Sequence, residues 1–66
     1  MIDYSPMWEY MSSHKISQYH LIKNGIDTKT LYNLKKNKNI TLLTLEKLCK
    51  IIHCTPNDIV AFTDEK

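Results

Sequence analysis

Apolar residues recur along most of this chain at spacings of three and four positions, which is the repeat of an amphipathic helix. No segment keeps the two-residue alternation of a strand, so strands are not expected. The clearest helical stripe consists of Leu45, Leu48, Cys49 and Ile52, at positions i, i+3, i+4 and i+7. Thr44 is expected to cap this helix, and Leu48 is expected at the centre of the core.

Cap signals and shorter apolar stripes predict two more helices, one near each end of the chain. Ser5-Pro6 begins one that runs from about residue 6 to residue 14, with serine as the N-cap and proline in the first turn. Thr55-Pro56 begins a short helix near the carboxyl end. The residues expected to face the core from these two helices are Met7, Trp8, Met11, Ile59, Val60 and Phe62.

The segment from Ser17 to Lys36 predicts two further short helices, at about 17–24 and 27–36, joined by a tight turn at Asn24-Gly25. Glycine ends the first of them because it accepts a positive φ. The whole chain is therefore expected to fold as a single compact all-α domain of five short helices, residues 1–66. The apolar positions of the two central helices are Leu21, Ile22, Leu31 and Leu34.

The positive charge is concentrated in this central part of the chain. The net formal charge is +2, but residues 15–38 carry six lysines against one acid, or +5, while the remainder carries three lysines against six acids, or −3. This distribution favours a surface that binds a polyanion. A short helix flanked by lysines is a common way to place side chains in the DNA major groove, although a lysine-rich face is often only solvated.

Several residues together form a pattern that extends from about Tyr4 to Val60. They are Ile16-Ser17-Gln18, Leu21, Gly25-Ile26, Thr30-Leu31, Leu34, Leu45, Leu48, Cys49 and the run Cys54-Thr55-Pro56-Asn57-Asp58-Ile59. With this pattern the chain resembles the Cro and lambda-repressor type (XRE-like) helix-turn-helix family, in particular its small single-domain members from bacteria and their mobile elements. The resemblance implies a five-helix, lambda-repressor-like fold. One departure is that four positions separate Leu21 from Gly25, where the family usually has five.

The resemblance implies that the helix at about 28–36 is the recognition helix and enters the major groove, with Asp27 in place of the usual serine or threonine cap. The side chains expected to contact bases are Thr28, Lys29, Tyr32 and Asn33. Asparagine can pair with adenine through two hydrogen bonds, and lysine can donate to guanine. All nine basic residues are lysines, so no arginine can form a bidentate hydrogen bond to guanine. Modest base discrimination is therefore expected.

Phosphate contacts are expected at the start of the first motif helix and beside the recognition helix. Gln18 matches the position that touches phosphate in the family. Ser17 heads a helix whose free N–H groups attract phosphate, although its hydroxyl can equally cap its own helix. The lysines expected to contact phosphates are Lys23, Lys35, Lys36 and Lys38. Such contacts raise affinity without reading the base sequence.

Other chemistries receive little support from the sequence. Cys49, His53 and Cys54 lie close together, but a structural zinc site needs four ligands, and an inward-facing cysteine behaves as a small apolar residue. The sequence shows no nucleophile with a nearby base, no paired carboxylates and no glycine-rich phosphate loop. It therefore gives little support to an enzymatic function. We therefore expect no metal, cofactor or small-molecule substrate. With no signal segment or membrane-length apolar run, a cytoplasmic protein with free thiols is expected.

These patterns favour a sequence-specific transcriptional regulator that is repressor-like and binds double-stranded DNA. A homodimer on a palindromic site is expected from the family and from the small size of the chain. Trp8 and the methionines are then expected either in the core or at a dimer contact. The alternative is a small helical protein-interaction module, antitoxin-like or an adaptor, with incidental DNA binding.

Overall fold

A computed structural model describes residues 1–63 of the chain, which form four α-helices and two short strands in the order β1-α1-α2-α3-α4-β2. A single 3-10 turn over Pro56–Asp58 lies between α4 and β2. This region is mostly helical, as predicted. The helices are α1 (Ser5–Ser13), α2 (Gln18–Lys23), α3 (Thr28–Lys35) and α4 (Leu42–Ile52), and the strands are β1 (Ile2–Asp3) and β2 (Ala61–Phe62).

Two helix starts differ from the sequence prediction. Thr41 rather than Thr44 caps α4, because the Thr44 N–H donates to the Thr41 hydroxyl oxygen at 3.1 Å, and the helix begins at Leu42. Ser5 is the first residue of α1 rather than its cap. The Asp3 carboxylate accepts hydrogen bonds from the Ser5 hydroxyl at 2.7 Å and from the Ser5 N–H at 2.9 Å, and these bonds lower the pKa of Asp3. In each case a polar residue two or three positions upstream provides the acceptor.

The two ends of the described region pair as a small antiparallel sheet, although strands were not expected. Ile2 pairs with Phe62, and Asp3 pairs with Ala61. Each strand has only two residues, which is too short to show an alternating pattern in the sequence. The sheet holds the start of the chain beside the segment that follows α4.

The predicted fifth helix is the 3-10 turn rather than an α-helix. The Thr55 N–H and hydroxyl donate to the Asp58 carboxylate at 3.2 Å and 3.1 Å, and the turn ends there. The chain then extends and enters β2 at Ala61. As a result Phe62, which was expected in the core, is 82% exposed.

One hydrophobic core contains side chains from all four helices. The predicted stripe of α4 is confirmed at Leu48 and Ile52, which are buried, while Leu45 and Cys49 are half-buried. Trp8 is half-buried and packs against this core. The largest fully buried side chains are Tyr4, Met7, Leu21, Leu34, Leu48 and Ile59.

All of the helices are short. The six-residue α2 buries Leu21, but Ile22, which was expected to face the core, is 41% exposed because so short a helix presents little more than one inward position. The longest helix, α4, has 11 residues. Within residues 1–63, no helix has the length and apolar character needed to cross a membrane.

Candidate nucleic-acid interface

The turn between α2 and α3 is tight, and the rest of the fold holds it in place. Gly25 has φ +107°, and a Cβ atom at this position would lie 3.0 Å from the Lys47 ammonium nitrogen. The same ammonium donates to the Gly25 carbonyl at 3.1 Å. Ile26 is buried, and its N–H donates to the Leu21 carbonyl at 3.0 Å. Glycine is therefore favoured here by its backbone conformation, and a Cβ atom would in addition displace the end of the Lys47 side chain.

Both helices of this pair begin at the predicted cap residues. The His20 N–H donates to the Ser17 hydroxyl oxygen at 3.2 Å, and the Thr30 N–H donates to the Asp27 carboxylate at 2.8 Å. The pKa of Asp27 is lowered, first by the hydrogen bond from the Thr30 side chain, then by that from its backbone N–H, with a smaller contribution from nearby lysines. An ionised Asp27 thus stabilises the start of α3.

The helix α3 turns one apolar side towards the core and one polar side outwards. Leu31 and Leu34 are buried, as predicted. Of the four residues expected to contact bases, Thr28, Lys29 and Tyr32 are exposed and Asn33 is half-buried. Asn33 and Lys29 line one wall of a shallow groove whose other wall is the segment entering α4.

The sequence did not indicate that this segment would line the groove. Asn39 and Thr41 of this segment and Thr44 of α4 add polar groups to those of Lys29, Thr30 and Asn33. Their pattern in the sequence is that of a loop and a helix cap, and nothing in it relates them to α3. The groove thus extends the polar surface of α3 beyond the helix itself.

Two lysines just beyond the end of α3 lie near an aromatic ring of that helix. The Lys36 and Lys38 ammonium nitrogens are 5.9 Å and 5.2 Å from the centroid of the Tyr32 ring. A cation over a ring at this distance is attracted by the negative face of the ring. The Tyr32 side chain, which is 51% exposed, therefore attracts the ammonium groups of two lysines at the carboxyl end of α3.

All of the residues expected to contact phosphate are exposed. The hydroxyl of Ser17 caps α2, which is one of the two roles considered for it, and its phosphate contact stays a prediction. Gln18 is the first residue of the helix. The exposed set consists of Ser17, Gln18, Lys23, Lys35, Lys36 and Lys38.

A contact from the amino end of the chain holds the carboxyl end of α3. The buried Tyr4 donates its hydroxyl to the Lys38 carbonyl at 2.6 Å, and its N–H donates to the Asn37 side-chain oxygen at 3.0 Å. Asn37 has φ +57°, and the Lys38 N–H donates to the Asn33 carbonyl at 2.8 Å, as in a common helix termination. Sequence reasoning missed this role of Tyr4, because the bonded residues are 34 positions apart.

We expect Tyr4→Phe to lower the free energy of unfolding by about 0.5–1.5 kcal/mol at neutral pH, since one buried hydrogen bond is lost. Burial raises the pKa of Tyr4 above 10.0, so the folded state holds the phenol proton more tightly than the unfolded state. This contribution is present below pH 10 and is lost as the pH rises through the raised pKa. Urea denaturation of both proteins at neutral and alkaline pH measures the two effects.

Tyr19→Phe is the matched control, because Tyr19 is 69% exposed. It should leave the free energy of unfolding unchanged at neutral pH. The alkaline loss of stability should be smaller in Tyr4→Phe than in the wild type. Equal stability of the two variants at neutral pH would show that the Tyr4 hydroxyl contributes nothing.

The two cysteines lie away from this surface and are free thiols, both half-buried. Burial, followed by the nearby Cys49, raises the pKa of Cys54 to about 12. A thiol with so high a pKa is a poor nucleophile and a poor metal ligand. Within residues 1–63, no group of three or more His, Cys, Asp or Glu side chains is placed to hold a metal ion.

The two capped helices and the tight turn between them form a helix-turn-helix, and comparison with known proteins assigns the family. The chain matches the model of the Cro/C1-type HTH DNA-binding domain over residues 7–65. Because the match covers most of the chain, the protein belongs to this family. The resemblance noted in the sequence is confirmed.

A solved structure is similar in fold. The crystal structure of the transcriptional regulator VanUg, Form II, superimposes with a TM-score of 0.88 and 23% sequence identity, over 97% of this chain and 87% of that chain. At this level of identity the likeness concerns the fold alone. No curated protein is significantly similar in sequence.

Proposed function

We propose that this protein is a sequence-specific, repressor-like transcriptional regulator that inserts α3 into the major groove of double-stranded DNA. The observation that carries the proposal is the polar outer side of α3, with an exposed lysine surface beside it, in a domain of a DNA-binding family. A helix-turn-helix places the start of its second helix against base edges, and that is where Thr28 and Lys29 lie.

Base reading is assigned to four side chains of α3. Asn33 can pair with adenine through two hydrogen bonds, and Lys29 can donate to guanine. Thr28 and Tyr32 can contact thymine methyl groups. Because arginine is absent, discrimination rests largely on Asn33 and on the shape of the groove.

Affinity is assigned to a second set of residues, which neutralise phosphates and release counterions. The lysines at the carboxyl end of α3 lie beyond the base-reading residues, where the helix leaves the groove. The amino end of α2 offers backbone N–H groups to phosphate from the other side of the turn. The set comprises Ser17, Gln18, Lys23, Lys35, Lys36 and Lys38.

The protein is proposed to act as a homodimer on a palindromic site. Two copies related by a two-fold axis would place two α3 helices in successive major grooves, about one helical turn apart. One such small domain offers a limited contact area, and a second half-site adds to both affinity and specificity.

A titration with promoter-region DNA at two salt concentrations, followed by footprinting, tests the proposal. Protection of a defined palindromic site, with tighter binding there than on random DNA, is the expected result. Binding without sequence preference would contradict the regulator and leave an incidental affinity for DNA. No binding at all would favour a protein-interaction module.

We expect Lys36→Ala to weaken binding to specific and random DNA to a similar extent, because a phosphate contact carries no sequence information. The slope of log affinity against log salt should fall in magnitude by about one unit. Fluorescence anisotropy at several salt concentrations measures both quantities.

Lys50→Ala is the matched control, since it removes the same charge from α4, where Lys50 lies 3.8 Å from Glu46. Its salt slope should equal that of the wild type. An unchanged slope in Lys36→Ala would remove Lys36 from the phosphate contacts.

A further inference from the structure

The turn directly after α3 carries two of the lysines proposed to contact phosphate, Lys36 and Lys38. This lysine turn comprises residues 36–38. Its middle residue, Asn37, has φ +57°, and the Lys38 N–H donates to the Asn33 carbonyl at 2.8 Å. The backbone of the lysine turn is therefore bonded to the helix that carries the side chains proposed to read bases.

Tyr4 attaches the lysine turn to the core at two points. Its hydroxyl donates to the Lys38 carbonyl at 2.6 Å, and its N–H donates to the Asn37 side-chain oxygen at 3.0 Å. Tyr4 is only 2% exposed and directly precedes α1, where its carbonyl accepts the Met7 N–H at 3.0 Å. Because the two bonds leave Tyr4 from its side chain and from its backbone, they fix the direction of the turn as well as its position.

The ring of Tyr32 attracts both lysine side chains of the turn. The Lys36 and Lys38 ammonium nitrogens lie 5.9 Å and 5.2 Å from the ring centroid. An aromatic ring attracts a cation but has no net charge, so it does not neutralise the lysines as a carboxylate would. Within residues 1–63, neither ammonium group forms an ion pair. The turn therefore presents two uncompensated positive charges near one ring.

We infer that Tyr4 and Asn37 are positioning residues for DNA binding. They hold the lysine turn so that Lys36 and Lys38 meet phosphate oxygens in an arrangement already present in the free protein. The inference rests on the proposed function, to which it adds how the phosphate-contacting lysines are held in place.

The physical reason is the conformational freedom that a turn loses when it binds. A loose turn would have to be ordered at the moment its lysines met phosphates, and the entropy lost then would weaken binding. The two bonds from Tyr4 order the turn during folding instead. Asn37 and Lys38 are exposed, so the turn adds no apolar side chain to the core, and the bonds hold a surface segment in place.

The experiment is a thermodynamic cycle on the full chain, measured by fluorescence anisotropy with a random-sequence DNA duplex at low salt. A random duplex is sufficient because phosphate contacts carry no sequence information. Tyr4→Phe removes the hydroxyl bond, and Asn37→Gly removes the side-chain acceptor but adopts a positive φ readily. Each change is made in the wild type and in the Lys36→Ala/Lys38→Ala protein. Urea denaturation gives the folded fraction, and affinities are compared per folded molecule.

In the wild-type background, each variant should weaken binding about three- to tenfold, since binding must again order a free segment. In the background that lacks Lys36 and Lys38, neither variant should change the affinity, because a positioning residue acts only through the groups it holds. Because Asn37 is exposed, Asn37→Gly keeps the test available even if Tyr4→Phe unfolds.

Tyr10→Phe is the matched control. The Tyr10 hydroxyl also donates to a distant carbonyl, that of His53 at 3.1 Å, but this bond holds the end of α4 rather than the lysine turn. Tyr10→Phe should bind the duplex as the wild type does, although it loses a hydrogen bond of the same kind. If Tyr4 were merely structural, Tyr4→Phe would likewise keep the wild-type affinity per folded molecule.

Three results overturn the inference. The first is wild-type affinity of folded Tyr4→Phe or of folded Asn37→Gly. The second is a loss of equal size in the two backgrounds, which would show that the residues do not act through Lys36 and Lys38. The third is an equal loss of affinity in Tyr10→Phe.

The inference and the proposed function fail in different ways. Equal affinity of the wild type for promoter-region and random DNA would refute the sequence-specific regulator and leave the coupling between Tyr4 and the two lysines intact. Specific binding without that coupling would retain the regulator and refute the positioning role. A wild type that binds neither duplex refutes both.

Discussion

Leu48→Ala is expected to lower the free energy of unfolding by about 2–5 kcal/mol, because it removes buried surface and leaves a cavity. Leu48 is fully buried at the centre of the α4 stripe. The total stability of so small a domain is of the order of a few kcal/mol, so much of the population should unfold. DNA binding should be lost although every residue of the α3 outer side is unchanged. Thermal and urea denaturation followed by circular dichroism measure this effect.

Leu43→Ala is the control for this prediction. It makes the same chemical change in the same helix at a side chain that is 74% exposed, and it should change stability by no more than about 0.5 kcal/mol. If Leu48→Ala unfolds at the same urea concentration as Leu43→Ala, the core is organised differently from the arrangement described above.

Asn33→Ala is expected to cost about 1–3 kcal/mol of binding free energy on the preferred site and little on random DNA. The loss arises because an alanine cannot form the two hydrogen bonds that an amide offers to adenine. Asn33 lines the groove between α3 and the segment that enters α4, where a base edge would be flanked by polar groups. Competition binding with specific and random duplexes measures the difference.

Asn57→Ala provides the comparison, since Asn57 is an exposed asparagine in the 3-10 turn. Its affinity for both duplexes should match that of the wild type. A loss of equal size on specific and random DNA in Asn33→Ala would assign Asn33 to the backbone contacts instead of to base reading.

Several structural features were predictable because their causes are local. Ser17 and Asp27 accept hydrogen bonds from N–H groups three positions further along the chain. The residue type at each of these positions was therefore almost sufficient to predict the helix cap. Gly25 has the positive φ that its position predicts. The buried side of α3 at Leu31 and Leu34 follows from their three-residue spacing.

The two helix starts that were predicted wrongly lie where two polar residues compete to cap the same helix. Thr41 and Thr44 both precede helical residues, and Thr41 is the cap because its backbone is extended and its hydroxyl oxygen accepts the Thr44 N–H. Asp3 competes in the same way with Ser5 at the start of α1. Propensity does not rank such pairs, since their capping energies are similar.

The sequence by itself determined that the protein is a small helical domain with a tight turn between α2 and α3 and with lysines concentrated around α3. These features depend on residue types within a few positions of one another. Only the tertiary structure decided that Ile2–Asp3 and Ala61–Phe62 pair as strands, that Leu42 and Phe62 are exposed, and that the Tyr4 hydroxyl bonds to the Lys38 carbonyl 34 positions away. Each of these depends on a contact between distant segments, which forms only after the core has brought those segments together.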